Sequence, residues 1–148
     1  MSVGTGISNY AELKILDHML GTTAWTMPAS GMFMALGTDT TPDDETFTEL
    51  LILEVADPFD DLGYDRQAVA FEAATSPGAA QSSSAGNTSV VTFGPATHAS
   101  WGSVKSFALF DAATAGNMIC YGALSSPVTI DVGDKCEFGA SAIVIQLD

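Results

Sequence analysis

Six short apolar segments between residues 88 and 147 decide the fold class. Residues that favour turns (Gly, Pro, Asn and Asp) separate them at nearly even spacing. The segments are SVVTF (89–93), VKSFALF (104–110), NMICY (117–121), PVTI (127–130), KCEF (135–138) and AIVIQL (142–147). Each is too short for a typical helix and is rich in the β-branched and aromatic side chains that suit a pleated sheet. Short strands at this spacing predict a β-sandwich or a barrel.

The length of the chain predicts a single domain, residues 1–148, built around one hydrophobic core. We expect an all-β, jelly-roll-like sandwich of about eight strands with one N-terminal helix. Further strands are predicted at 32–36 and 64–71. The apolar stretch 50–55 fits a buried strand or a short helix, and periodicity cannot decide between them. Residues 76–86, rich in Ser, Ala, Gly and Pro, are predicted to form a long exposed loop.

The N-terminal segment contains the clearest helical periodicity in the chain. Residues 1–7 are predicted to be an extended arm, and residues 9–20 are predicted to be a helix. Either Ser8 or Asn9 can cap the first turn, and Glu12 lies at capping-box spacing after Asn9. The apolar stripe of this helix is expected to cover one end or edge of the sheet.

The predicted core combines that stripe with the inward positions of the strands. Alternation along each strand decides the choice, and a register error of one residue would expose the whole set from that strand. The predicted core residues are Leu13, Leu16, Leu20, Phe33, Leu36, Val69, Phe71, Val91, Phe93, Phe110, Ile119, Val128, Ile130, Ile143 and Ile145.

The charge balance is unusual and excludes some classes of partner. Eighteen acidic residues against Lys14, Arg66, Lys105 and Lys135 give a formal net charge of −14. Proteins that bind nucleic acid need a basic surface that displaces counterions from phosphate, so we predict no nucleic-acid partner. Anionic membrane surfaces are disfavoured for the same reason, and no membrane partner is expected. The N-terminal residues also lack the basic and apolar segments of a signal peptide.

The sequence offers little for catalysis or for metal and cofactor binding. His18 and His98 have no second histidine at metal-ligand spacing, and no Gly-x-Ser-x-Gly elbow supplies a nucleophile. The acidic cluster at 57–65 lacks the alternate spacing and the closing Glu of a calcium loop, and it fits a solvated loop better. Cys120 and Cys136 form no CxxC pair and are predicted to be buried free thiols. We therefore predict a protein that is not an enzyme and needs no cofactor or metal.

Six dispersed motifs, in the same order along most of the chain, resemble one protein family. They are SNYAExKxLDH (8–18), YxRQAV (64–69), ASWG (99–102), FxLFDAA (107–113), YGAL (121–124) and IxIxLD (143–148). Together they resemble a widespread family of small virion proteins of tailed bacteriophages. Its members are labelled tail fibre protein in some phages and capsid decoration or cement protein in others. Residues 41–60 depart from the family pattern, because a longer acidic and apolar insertion replaces a short Gly-rich turn.

The resemblance implies a structural protein of the virion, made in the host cytoplasm, with two candidate functions. The first is a cement or decoration protein on the outer capsid surface between capsomers. Its partners would be the major capsid protein and a second copy, as a homodimer. The acidity fits an outer surface, and the chain lacks the coiled-coil or fibrous repeat of a self-sufficient fibre. These two features favour cement.

The alternative is a tail-fibre or tail-tip module with a structural or host-adhesion role. An adhesion module would show an exposed aromatic patch on loops, with Trp25, Phe59, Tyr64 and Trp101 as candidates.

Partner contacts are predicted at apolar residues that core packing does not use. The N-terminal arm, the segment after the helix and the insertion at 41–61 have the reach to lie across a neighbouring subunit. The apolar run 50–53 fits an ordinary buried edge strand nearly as well. The predicted contact residues are Ile7, Trp25, Met27, Leu50, Leu51, Ile52, Leu53 and Phe59.

Overall fold

The computed structural model describes residues 5–28, 31–39, 62–75 and 83–147. Within these ranges the chain forms one helix and nine strands, and the strands pair antiparallel. In chain order the elements are β1 (Thr5–Ile7), α1 (Asn9–Met19), β2 (Met32–Gly37), β3 (Gln67–Val69), β4 (Ser83–Gly86), β5 (Val91–Phe93), β6 (Gly102–Phe110), β7 (Met118–Ile130), β8 (Cys136–Phe138) and β9 (Val144–Leu147). The predicted all-β class with one N-terminal helix is confirmed.

A five-stranded sheet in the order β1-β7-β6-β2-β3 organises the fold. Two smaller sheets accompany it, each of two strands: β4-β9 and β5-β8. The main hydrophobic cluster joins Met34 and Phe107 of the large sheet to Phe93 and Phe138 of the β5-β8 pair. The jelly-roll arrangement and the assignment of residues 1–148 to a single domain stay predictions.

Strand β7 is longer than the sequence predicts. It runs over Met118–Ile130 and joins the segments 117–121 and 127–130, which alternation divides into two strands. Its pairing register with β6 shifts opposite Lys105, where β7 bulges. Pro127 lies in this bulge, where a residue without an N–H group costs no ladder hydrogen bond. The proline therefore marks an irregularity inside one strand and does not separate two.

Two segments that the sequence predicts to be irregular form strands. Residues 5–7 of the predicted arm form β1 beside β7, where the absence of a side chain at Gly6 leaves room for the Tyr121 ring. Residues 83–86 of the predicted loop 76–86 form β4 beside β9. Both strands contain Gly, which has low strand propensity, so pairing with distant strands overrides the local preference.

Alternation identifies most of the core positions in the strands correctly. The predicted residues that are buried are Leu36, Val69, Val91, Phe93, Phe110, Ile130 and Ile143. Those that are half-buried are Phe33, Phe71, Ile119 and Ile145. The prediction for Val128 is wrong: it pairs with the fully buried Val104, but it borders a surface groove and is 42% exposed.

The turn between β6 and β7 forms as the sequence predicts. Phe110 and Met118 pair as neighbours of one hairpin. The Asp111 side chain accepts hydrogen bonds from the backbone and side-chain nitrogens of Asn117, at 2.7 and 2.9 Å. From outside the hairpin, the Arg66 guanidinium lies 3.5 Å from the centroid of the Phe110 ring. It also donates to the carbonyls of Ala112 and Ala115.

Helix α1 confirms the predicted helix, but its cap differs from the capping-box prediction. The Ser8 hydroxyl accepts a hydrogen bond from the N–H of Ala11 at 3.1 Å, so Ser8 is the N-cap. Glu12 therefore lies one residue beyond the capping-box position. The helix ends at Met19, within one residue of the predicted end.

The prediction that the helix stripe belongs to the core is wrong. Ala11 is the buried residue of α1, and Ile15, one turn further, is half-buried on the same side. Leu13, Leu16 and Leu20 are exposed by 58%, 54% and 68%. The physical reason is that the docked side of the helix is fixed at its N-terminus by hydrogen bonds to β7, which direct the small Ala11 inward.

Candidate functional site

The main candidate site is the exposed apolar side of helix α1, which we name the Leu13 stripe. It consists of Leu13, Leu16, Met19 and Leu20, exposed by 58%, 54%, 76% and 68%. Neighbouring exposed apolar side chains of this size are often functional on soluble proteins. Exposure of the apolar side of a helix is unusual, because burial of that side supplies most of the stability of a helix in a protein.

Hydrogen bonds hold the beginning of the stripe in a fixed orientation. The backbone N–H of Ser8 donates to the Ile119 carbonyl at 3.0 Å, and its hydroxyl donates to the Met118 carbonyl. Ser8 is 2% exposed, so these bonds are shielded from water. Because β7 lies in the five-stranded sheet, these bonds tie the helix to the largest sheet of the described fold.

Local hydrogen bonds also order the end of the helix. Thr22 donates its backbone N–H to the Asp17 carbonyl at 3.0 Å and its hydroxyl to an Asp17 side-chain oxygen at 2.9 Å. The Trp25 N–H donates to Nδ1 of His18 at 3.2 Å, which folds the following segment back along the helix. His18 is therefore an exposed residue whose side chain orders the segment after the helix.

A small apolar cleft opens close to the segment that follows the helix. It has a volume of about 280 Å³, and its lining residues include Met27, Leu109, Cys120 and Ile145. The described lining is entirely apolar, which excludes recognition of a polar ligand by side-chain hydrogen bonds. Burial raises the pKa of the Cys120 thiol to about 12, so the thiol stays protonated and unreactive at neutral pH.

A second groove of about 360 Å³ lies between β7 and β8. Its lining mixes Val128 with the polar residues Lys135 and Glu137 and with Cys136. Burial, and secondarily the charge of Glu137, raises the pKa of the Cys136 thiol to about 11. Both cysteines are free and buried, as the sequence predicts.

The predicted contact residues are only partly placed together by the structure. Ile7 is half-buried in β1, and Trp25 is half-buried after the helix. Met27 is 40% exposed at the rim of the apolar cleft. The other predicted contacts, Leu50, Leu51, Ile52, Leu53 and Phe59, lie outside the described residues. A contact role for this set stays a prediction.

Two of the aromatic residues considered for host adhesion belong to the core. Trp101 is 3% exposed, and its Nε1 donates to the Leu62 carbonyl at 2.9 Å. Tyr64 is 2% exposed, and its hydroxyl accepts the N–H of Leu36 at 2.8 Å. The Tyr64 ring lies 5.4 Å from Trp101 and 6.0 Å from Phe93, centroid to centroid. The prediction that Tyr64 and Trp101 belong to an exposed adhesion patch is therefore wrong.

The described residues do not assemble a metal site or a membrane span. No group of three or more His, Cys, Asp or Glu side chains within them could hold a metal ion. Of the acidic cluster at 57–65, Asp65 is described and exposed, whereas Asp57, Asp60 and Asp61 lie outside the described ranges. In the same part of the chain, no helix is long and apolar enough to cross a membrane.

Sequence reasoning found the residues of the Leu13 stripe but assigned them to the core. The sequence does contain a signal for the side that docks on the sheet: Ala11 and Ile15 lie one turn apart on the other side of the helix. A small residue at the docking position lets a helix approach a sheet closely. Nothing in the local pattern shows which of two apolar sides will do so.

Comparison with known families identifies the kind of protein to which this fold and exposed helix belong. A family model matches residues 6–146, from β1 to β9, and is named for a fibre protein of a bacteriophage, so the chain is a structural protein of a phage particle. The model is described as Podophage GP4 fiber I protein gp80, and the chain belongs to this family. No curated protein matches the chain. The resemblance to phage virion proteins stated from the motifs is confirmed.

Proposed function

We propose that the chain is a non-enzymatic structural component of a bacteriophage tail fibre. The observation that carries this proposal is the match to a fibre protein family over residues 6–146. The sequence favours a capsid cement protein and ranks a tail-fibre module second. The family description supports the second function better than the first.

The geometry of the described residues supports a structural role over host adhesion. Tyr64 and Trp101 are used in the core, so they are not available to stack on a host sugar. Among the described residues, the Leu13 stripe brings four exposed apolar side chains together on one helix, and such a surface suits contact with another protein. A fibre consists of such contacts, and they require no catalysis.

The net charge of the chain indicates which classes of partner it does not bind. A net charge of −14 repels nucleic acid and anionic lipid, so the contacts of the chain are with protein. The partners proposed here are other fibre subunits. The major capsid protein would be the partner under the cement alternative.

The test is the position and copy number of the protein in purified virions. Gold-labelled antibody should decorate the tail, and quantitative mass spectrometry should find few copies relative to the major capsid protein. Label spread over the head, with a copy number comparable to that of the capsid subunits, would reject the tail-fibre assignment and support cement. A capsid lattice offers many equivalent sites, so the two outcomes are well separated.

A further inference from the structure

We propose that the groove between β7 and β8, which we name the β8 groove, is a docking site for an extended segment of another protein. The segment would pair with β8 as an additional strand, and its side chains would contact the walls of the groove. The groove has a volume of about 360 Å³. This contact goes beyond the fibre function proposed above and does not require it.

Strand β8 has one open edge. It pairs antiparallel with β5 over Cys136–Phe138, and these two strands form a sheet of their own. On its other edge, β8 has no strand partner within the described residues. Alternate N–H and C=O groups of an edge strand point away from its neighbour, so they can accept a further strand.

The β8 groove follows this open edge. One of its walls consists of five consecutive residues, from Lys135 to Gly139. The side chains of a strand point alternately to its two faces, so a pocket over one face would be lined by every second residue. A wall of consecutive residues indicates that the groove meets the backbone at the edge of β8. A peptide in the groove would therefore lie beside the groups to which a new strand bonds.

The opposite wall comes from the bulge of β7. Leu124, Ser126 and Val128 line it, and residues 124–127 have no register partner in β6. The bulge displaces this part of β7 from the ladder and leaves Val128 42% exposed beside the groove. The groove thus combines a strand edge with an apolar wall. In strand addition, main-chain hydrogen bonds supply affinity and contacts with alternate side chains supply specificity.

The charges of the groove define the chemistry of the partner. The chain carries a net charge of −14, but the charged residues that line the groove are one cation, Lys135, and one anion, Glu137. Both are exposed, and their spacing of two residues places them on the same face of β8. Opposite charges across an antiparallel pair stabilise it, and like charges destabilise it. The partner segment therefore has a basic residue facing Glu137 and, two positions later, an acidic residue facing Lys135.

The same two charges also restrict which strands can bind. Short edge strands with charged side chains are a common protection against unwanted pairing. Because the charges of Lys135 and Glu137 are opposite, they reject a strand whose charges are in the wrong order and accept one in the complementary order.

The first measurement uses the free full-length protein. Hydrogen exchange followed by NMR should alternate along Cys136–Phe138, because amides bonded to β5 exchange slowly and amides at the open edge exchange fast. Slow exchange at every one of these amides would show that another part of the chain already covers the edge. That result would overturn the proposal.

The probe is the end-blocked peptide Thr-Val-Lys-Val-Glu-Val-Thr. Paired antiparallel with β8, it sets its lysine against Glu137 and its glutamate against Lys135. It should bind with a Kd of about 1 mM or tighter, slow the exchange of the open-edge amides and shift the NMR signals of residues 124–128 and 135–139. Absence of binding at higher peptide concentrations would overturn the proposal.

Two altered peptides separate backbone pairing from other contacts. N-methylation of the alternate amides that face β8 removes the donors of the new ladder and should weaken binding by about tenfold or more. Exchange of the lysine and the glutamate keeps the composition but sets like charges across the pair, and it should weaken binding by about fivefold. Equal affinity of all three peptides would contradict strand addition.

Gly139→Gln and Ala140→Gln are matched variants of the protein. Gly139 lines the groove, and a Cβ at this position meets no atom within 4 Å, so a longer side chain can enter without a clash. Gly139→Gln should obstruct the groove and weaken binding of the probe by about tenfold. Ala140 is exposed and is not among the residues that line the groove, so Ala140→Gln should bind as the wild type does. Equal binding by the two variants, with unchanged circular dichroism, would reject the groove as the site.

The remaining outcomes separate this contact from other occupants and from the fibre function. Concentration-dependent shifts of the signals of residues 135–139 without peptide would show that a second copy fills the groove, which would overturn the assignment to another protein. Tail labelling in virions without binding of the probe would keep the fibre function and reject this contact. Head labelling with binding that Gly139→Gln weakens would keep the contact and reject the fibre function.

Discussion

The aromatic cluster around Trp101 and the Leu13 stripe contrast two uses of large apolar side chains. Trp101 is 3% exposed and Leu16 is 54% exposed. In the cluster, polar atoms of Trp101 and Tyr64 bond to backbone groups that are distant along the chain, which positions the rings inside. The hydrogen bonds that orient the helix of the stripe are made by Ser8, on the opposite side of that helix. The polar anchors, more than the apolar residues themselves, decide which set is buried.

Among the substitutions that test this contrast, Trp101→Ala should lower the free energy of unfolding most. Loss of a fully packed indole leaves a cavity, and the Leu62 carbonyl loses one of its two donors and keeps the Thr97 N–H, so we expect the free energy of unfolding to fall by about 3–5 kcal/mol. Urea unfolding monitored by circular dichroism measures the change. A loss below about 1 kcal/mol would mean that the cluster is not a structural centre of the fold.

Tyr64→Phe isolates the polar anchor from the ring. The buried N–H of Leu36 loses its acceptor while ring packing is kept, so a loss of about 1–2 kcal/mol is expected. The same urea measurement applies. The control is Tyr10→Phe on the half-buried side of α1, for which a change within about 0.5 kcal/mol is expected. Equal losses in the two variants would contradict the role of the Tyr64 hydroxyl.

Ser8→Ala tests the anchor of the exposed region. Removal of the cap and of the bond to the Met118 carbonyl should destabilise the protein by about 1 kcal/mol. Thermal unfolding of Ser8→Ala and Asn9→Ala side by side measures it, because the sequence permits either residue as the cap. A larger loss at Asn9 would reject Ser8 as the cap.

Leu16→Ala should have the smallest effect. The exposed side chain contributes little and alanine suits a helix, so stability should change by less than about 0.5 kcal/mol. Urea unfolding at low protein concentration measures it. A loss of about 2 kcal/mol or more, as for a buried leucine, would show that the stripe is covered within the chain.

The local sequence pattern predicts the parts of this fold in which residues close together along the chain decide which side chains are buried. Phe93, Ile130 and Ile143 are buried as alternation requires, and the Asp111–Asn117 turn closes one hairpin. The residues of the Leu13 stripe are also found by their period. Their exposure is not predictable, because it depends on contacts between Ser8 and β7, more than a hundred residues away.

Pairing between distant segments accounts for the remaining errors. β1 and β4 are short, contain Gly and have little strand propensity, yet each finds a partner strand late in the chain. Pro127 interrupts the alternation of apolar residues along β7, but the bulge beside it allows the strand to continue. In each case a long-range contact overrides a local signal.

Ser8 is the single residue between β1 and α1, and it caps the helix. The bonds of Ser8 to β7, together with the burial of Ala11, therefore orient the helix against the large sheet. A change at Ser8 would be felt at once at the edge of the sheet and in the first turn of the helix.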